Sequence, residues 1–155
     1  MLVIFLTIIL GLFLSLITLP VGYYAPEWIL LIIIYWAIAI PSNNKIFLAF
    51  IAGIIVDIVY GQVLGVSSFF YVLLIYIFLR LYNSLRYMTI AQQAVVVFFF
   101  IFIKQHLLVW AYYIIDRNID YTALLVGAII SSIIWPLVYY VLRFVRRKFR
   151  MGGIV

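Results

Sequence analysis

Six apolar runs separated by short turns fill almost the whole chain, and this pattern leaves little besides a lipid bilayer as its surroundings. The runs cover residues 2–19 (ended by Pro20), 28–40 (between Pro26 and Pro41), 46–60 (followed by Gly61 and Gly65), 66–79, 90–115 and 121–142. Of the 155 residues 70% are hydrophobic and 9% charged, whereas a soluble domain carries roughly a quarter charged residues to stay in solution. No polar stretch is long enough for a second domain. The expectation is an all-α integral membrane protein, a compact bundle of six transmembrane helices over residues 1–142, with a basic cytoplasmic tail over 143–155.

The second, third and fourth runs are short. A helix needs about 20 residues to cross a ~30 Å hydrocarbon core, and residues 28–40 supply about 20 Å at 1.5 Å per residue. These helices are expected to continue into their flanks, to sit in a thinned bilayer, or to be shielded by neighbours. Four full spans with one re-entrant hairpin is the alternative.

Charge sets the orientation. With six spans and an inner amino terminus, the inner segments carry Lys45, Arg80, Arg86, Arg143, Arg146, Arg147, Lys148 and Arg150, and the outer segments only Arg117. That asymmetry places both termini in the cytoplasm. Glu27, Asp116 and Asp120 fall outside. Tyr23, Tyr24, Trp28, Tyr60, Trp110, Tyr112, Tyr113 and Tyr121 would form an outer aromatic belt, and Tyr35, Trp36, Tyr82, Tyr87, Tyr139 and Tyr140 an inner one. The first run has no basic leader and no A-x-A site, so it is expected to stay as a span.

Chemistry is sparse. There is no cysteine, which removes disulfides and thiolate metal sites. No nucleophile–base pair, HExxH or glycine loop leading to a lysine occurs, so no enzymatic activity and no cofactor are expected. The net charge of +6 sits at span ends, which points to membrane rather than nucleic acid.

The third run and its exit read Ala49, Gly53, Asp57, Gly61, Gly65, every fourth residue and so one helix face. Small residues there let a second backbone approach, either a neighbour in the bundle or a partner. Asp57, the single carboxylate within a run, needs a partner. Lys104 is the natural candidate, because the two lie about 16 Å and 21 Å along their helices. A proton or ion relay and a cap on the Gly61–Gly65 turn are the alternatives. Ala123, Gly127 and Ser131 repeat the small-residue pattern in the sixth run, ahead of Trp135-Pro136; they suit close packing or a groove for a foreign helix. His106, the only histidine, is expected as a hydrogen-bonded core or interfacial residue. Arg143, Arg146, Arg147, Lys148 and Arg150 fit contact with anionic lipid or an acidic cytoplasmic partner.

The run Pro26-Glu27-Trp28 through Tyr35-Trp36 to Pro41 resembles the second span of the MreD family, the bacterial rod shape-determining membrane proteins. Gly53-x-x-x-Asp57-x-x-x-Gly61-x-x-x-Gly65 is similar to that family's glycine–aspartate signature, and Gln92-Gln93, Trp135-Pro136 and the basic tail also fit. Members often carry a polar leader before the first span, and here the apolar run starts at Leu2; Lys104 has no clear counterpart. The resemblance implies a non-enzymatic scaffold of the cell-elongation machinery in the cytoplasmic (inner) membrane. It implies binding to MreC, and work with MreB, RodA and the elongation transpeptidase in lateral-wall peptidoglycan synthesis. It also implies a fold similar to the substrate-binding subunit of energy-coupling-factor transporters. A small-molecule binding or transport subunit is the competing function; it would need a polar cavity at the outer surface, drawn from Asp57, Gln62, Ser67, Ser68, Lys104, Gln105 and His106.

Overall fold

The computed structural model describes residues 2–42, 44–61, 63–114 and 121–149, and among them every regular element is helical. Six α-helices follow in order: α1 (Leu2–Ile17), α2 (Trp28–Ala39), α3 (Asn44–Val59), α4 (Val66–Tyr87), α5 (Ile90–Ile114) and α6 (Tyr121–Lys148). A 3-10 helix, Leu19–Tyr24, joins α1 to the loop before α2. Arg117, Asp116, Asp120, Gln62 and Arg150 lie outside the described residues.

Among the described residues three helices are long and apolar enough to cross a membrane: Val66–Tyr87, Ile90–Ala111 and Thr122–Lys148. α4 outruns its apolar run by eight residues, because helix-favouring leucines and arginines carry it past Leu79 to Tyr87. α6 likewise continues through Arg143, Arg146, Arg147 and Lys148, so most of the basic segment is the last turns of a helix.

The shortest helix is the central one. α2 has 12 residues, about 18 Å, and residues 29–38 are all buried. It packs on α1, α3, α4 and α6. A helix apolar on every face needs such a sheath, and here the sheath is protein rather than lipid. Gly11 of α1 permits one of these contacts, since a Cβ there would meet Ile32 Cδ1 at 2.6 Å.

Burial also corrects the aromatic belts. Tyr35 and Trp36 belong to the core rather than an interface; the Trp36 indole N–H donates to Thr7 Oγ1 of α1 at 2.9 Å. Trp110, Tyr113, Tyr87 and Tyr140 are exposed, as residues at a membrane interface would be.

Candidate functional site: polar clusters at the two ends of the bundle

Alternating helix directions bring the ends of α1, α3 and α5 together with the starts of α2, α4 and α6. This end holds both described carboxylates. The opposite end gathers the ends of α2, α4 and α6 with the start of α5, and carries Arg86, Arg143 and Arg146.

At the carboxylate end the glycine–aspartate face closes the α3–α4 hairpin. A Cβ on Gly53 would overlap the Cα and N of Ser68, so only glycine lets α4 come this close. The Ser68 hydroxyl then donates to the Phe50 carbonyl of α3 at 3.1 Å. Gly61 and Gly65 have φ of 60° and 97°, in the left-handed region that favours glycine. Gly65 is the residue just before α4, and it has no side chain to satisfy the helix's first N–H groups.

Asp57 supplies what is missing. Its Oδ2 accepts the Gly65 N–H at 2.8 Å and its Oδ1 the Ser67 N–H at 3.1 Å. The side chain is fully buried, and its charge faces the positive end of the α4 dipole. One carboxylate thus caps a helix from its neighbour.

Asp57 and Lys104 therefore do not form the expected pair. α3 packs on α2 and α4, whereas α5 packs on α4 and α6, so equal depth along two helices did not make them neighbours. Lys104 Nζ instead donates to Glu27 Oε1 at 2.6 Å, with both side chains largely buried. Gln105 Nε2 reaches the same oxygen at 3.3 Å. The Tyr71 ring centroid lies 5.4 Å from Lys104 Nζ, close enough for cation–π attraction.

Sequence reasoning placed Glu27 outside, as a flank of the second span. The backbone explains why it turns inward: Ser131 Oγ accepts the Glu27 N–H at 3.1 Å while donating to the Gly127 carbonyl at 2.7 Å. The usable signal was supply. A lysine inside a span needs an acid, and once Asp57 is spent on α4 the sequence offers Glu27, Asp116 and Asp120.

Both small-residue faces are consumed inside the molecule. Ala49, Gly53, Ala123, Gly127 and Ser131 are buried, which answers the expectation that these faces could receive a foreign helix: they already receive their neighbours. Gly61 and Gly65 are exposed but shape a turn. His106 sits on α5 between the rings of Phe102 and Trp110, at 5.9 Å and 5.7 Å between centroids.

A cavity of about 50 Å³ opens beside Glu27, Trp28, Tyr71, Lys104 and Gln105. Glu27 Oε2, Trp28 Nε1 and Gln105 Oε1 have no protein partner. At ~10–15 Å³ for each water, the space suits roughly four waters that would serve these atoms. At the arginine end a cavity of about 190 Å³ lies between Tyr35, Arg86, Gln93, Tyr139, Arg143 and Arg146.

The family model described as rod shape-determining protein MreD matches residues 1–145 of the chain. The rod shape-determining protein MreD of Haemophilus influenzae is 30% identical over 134 residues, which cover 85% of this chain and 83% of that protein. No solved structure matches.

Proposed function

The chain belongs to the MreD family of rod shape-determining proteins, and from that premise we propose that it is a non-enzymatic scaffold of the bacterial cell-elongation machinery. In this reading it sits in the inner membrane, binds MreC, and supports lateral-wall peptidoglycan synthesis alongside MreB, RodA and the elongation transpeptidase. The observation that carries it is the use made of the signature residues. Gly53, Asp57, Gly61 and Gly65 all serve the α3–α4 hairpin, so the most distinctive residues build a frame.

The competing reading, a small-molecule binding or transport subunit, asks for more room than the carboxylate end offers. Space for roughly four waters falls short of a drug-sized or vitamin-sized ligand. Asp57 and Ser68, expected to converge on a ligand, bond the backbone instead, and Lys104 and Gln105 bond Glu27. Ligand-dependent thermal stabilisation of the purified protein would reverse that preference.

A partner helix in this scaffold docks on the outer apolar faces, because the inner small-residue faces are filled. In lipid its association rests on packing and hydrogen bonds rather than on hydrophobic drive. Cross-linkers placed at exposed Phe5, Ile9, Phe13, Phe99, Ile103, Ile133 and Leu137 would trap MreC from native membranes along one face. Capture at none of these positions, with MreC still co-purifying, would remove transmembrane docking from the proposal.

The orientation proposed is arginine end inside, with both termini cytoplasmic. The chain has no native cysteine, which makes single-cysteine labelling clean. In intact cells a membrane-impermeant thiol reagent should label Tyr113→Cys and leave Lys148→Cys unlabelled until the cells are opened. Labelling of Lys148→Cys in intact cells would invert the layout.

A further inference from the structure

The cavity at the arginine end is a built site that the scaffold reading does not use. Three helix ends and one helix start converge on it: Tyr35, Ile38 and Ala39 from α2, Arg86 from the last turn of α4, Gln93 from the first turn of α5, and Tyr139, Arg143 and Arg146 from α6. Its volume of about 190 Å³ is far above the ~10–15 Å³ one water needs, so it takes a ligand of several atoms.

Charge and hydrogen bonding say what kind. Among the described residues three guanidinium groups line the cavity and no carboxylate does. Both described acids are committed at the other end, Glu27 to Lys104 and Asp57 to the α4 amides. The Arg143 guanidinium stands 6.0 Å from the Tyr139 ring centroid. Arg146 has one long contact, from Nη1 to the Ala39 carbonyl at 3.4 Å, and keeps its other donors. Tyr35 is 2% exposed, lines the cavity, and its hydroxyl has no partner.

An unsatisfied buried hydroxyl is costly. Beside arginines it is best met by an anionic oxygen. Gln93 adds an acceptor: its amide nitrogen donates to the Leu85 carbonyl at 2.9 Å and to the Met88 carbonyl at 3.4 Å, which fixes the amide and leaves Oε1 without a partner. A hydroxyl on the same ligand would meet that oxygen.

We propose that this cavity binds a phosphate group carried by a small hydroxylated head, with Arg143, Arg146 and Arg86 holding the charge and Tyr35 donating to a phosphate oxygen. Guanidinium forks suit phosphate geometry, and charge-assisted hydrogen bonds are the strong ones. The chemistry is shared by a phosphoglycerol lipid headgroup and by soluble phosphate. A headgroup is the natural source if this end lies at the membrane surface, a placement that rests on the proposed orientation.

The test reads thermal unfolding of the full chain in nanodiscs of phosphatidylcholine, with or without phosphatidylglycerol, and separately in detergent with inorganic phosphate. Either phosphatidylglycerol or phosphate should raise the midpoint by several degrees, and the arm that responds names the source. Arg143→Gln with Arg146→Gln should weaken apparent binding about tenfold or more. Tyr35→Phe, which keeps the ring packing, should weaken it several-fold.

The control changes the same charge on the same helix. Arg147→Gln with Lys148→Gln alters exposed residues outside the cavity and should keep the full response. Equal loss in the two double variants would mean general surface attraction and would overturn the site, as would no response in either arm. An undiminished response in Tyr35→Phe would also overturn it as drawn.

Discussion

The two ends of the bundle handle charge in opposite ways. At the carboxylate end both described carboxylates are answered inside the protein, Glu27 by Lys104 and Asp57 by two backbone N–H groups. At the arginine end Arg86, Arg143 and Arg146 surround a cavity with no acid to meet them. A charge amid apolar helices is costly unless paired, so the first end has the pattern of structure. The second has the pattern of a surface that expects something from outside.

Breaking a pair at the structural end should have the largest effect. Lys104→Met leaves the Glu27 carboxylate buried without its cation and should cost roughly 3–5 kcal/mol. Adding Glu27→Gln should restore part of that loss, measured by thermal or denaturant unfolding in detergent. A double variant as unstable as the sum of the singles would show that the two residues are not coupled. Asp57→Ala comes next. It removes two hydrogen bonds to a charged acceptor, each worth roughly 1.5–3 kcal/mol, so a loss of about 3 kcal/mol or more is expected. Asp57→Asn should fall between, since one amide oxygen can accept only part of what the carboxylate does.

The difference between the ends also separates what the sequence revealed from what it hid. Proline and glycine marked the breaks between the first four helices, because a Pro26 or a Gly61 ends an apolar run for local backbone reasons, and the polar stretches 80–89 and 116–120 marked the other two. Helix lengths were harder: α4 and α6 extend once the apolar pattern has stopped, carried by propensity and, in α4, by the buried Leu85. The cap by Asp57 was one of three open alternatives, for it joins residues eight and ten apart. The Lys104–Glu27 pair spans 77 residues, and nothing local marks it. Tyr35 and Trp36 looked like belt residues because a sequence does not say that the shortest helix will sit at the centre. The arginine cavity was legible only as a basic tail; that Tyr35 and Gln93 join it follows from packing.

A smaller effect is expected at the turn between the two signature glycines. Gly65 holds φ at 97°, and a Cβ there would meet nothing within 4 Å, so the whole penalty of Gly65→Ala is backbone conformation, about 1–2 kcal/mol. Gly53→Ala has the opposite cause: ordinary helical backbone, but a methyl driven into Ser68. Gly53→Ala should therefore be the more costly of the two, because the nearest atoms in its way are the Cα and N of Ser68, which no side-chain change removes. Equal losses in the two alanine variants, read by thermal unfolding in detergent, would end the distinction between turn and contact.

The smallest effect belongs to Arg147→Gln. The residue is exposed in the last turn of α6, outside the cavity, and a surface charge of this kind contributes little to folding. No measurable change in the unfolding midpoint is expected in uncharged detergent. Arg146 lies one residue earlier and differs in two respects: it is half-buried, and it reaches the Ala39 carbonyl at the end of the central helix. Arg146→Gln should therefore lower the midpoint slightly where Arg147→Gln does not. That gap should widen when phosphatidylglycerol is added, because a ligand that binds the folded state stabilises only the variant that can still hold it. A gap that stayed constant with and without the lipid would leave Arg146 a packing residue and make the two ends of the bundle alike in kind.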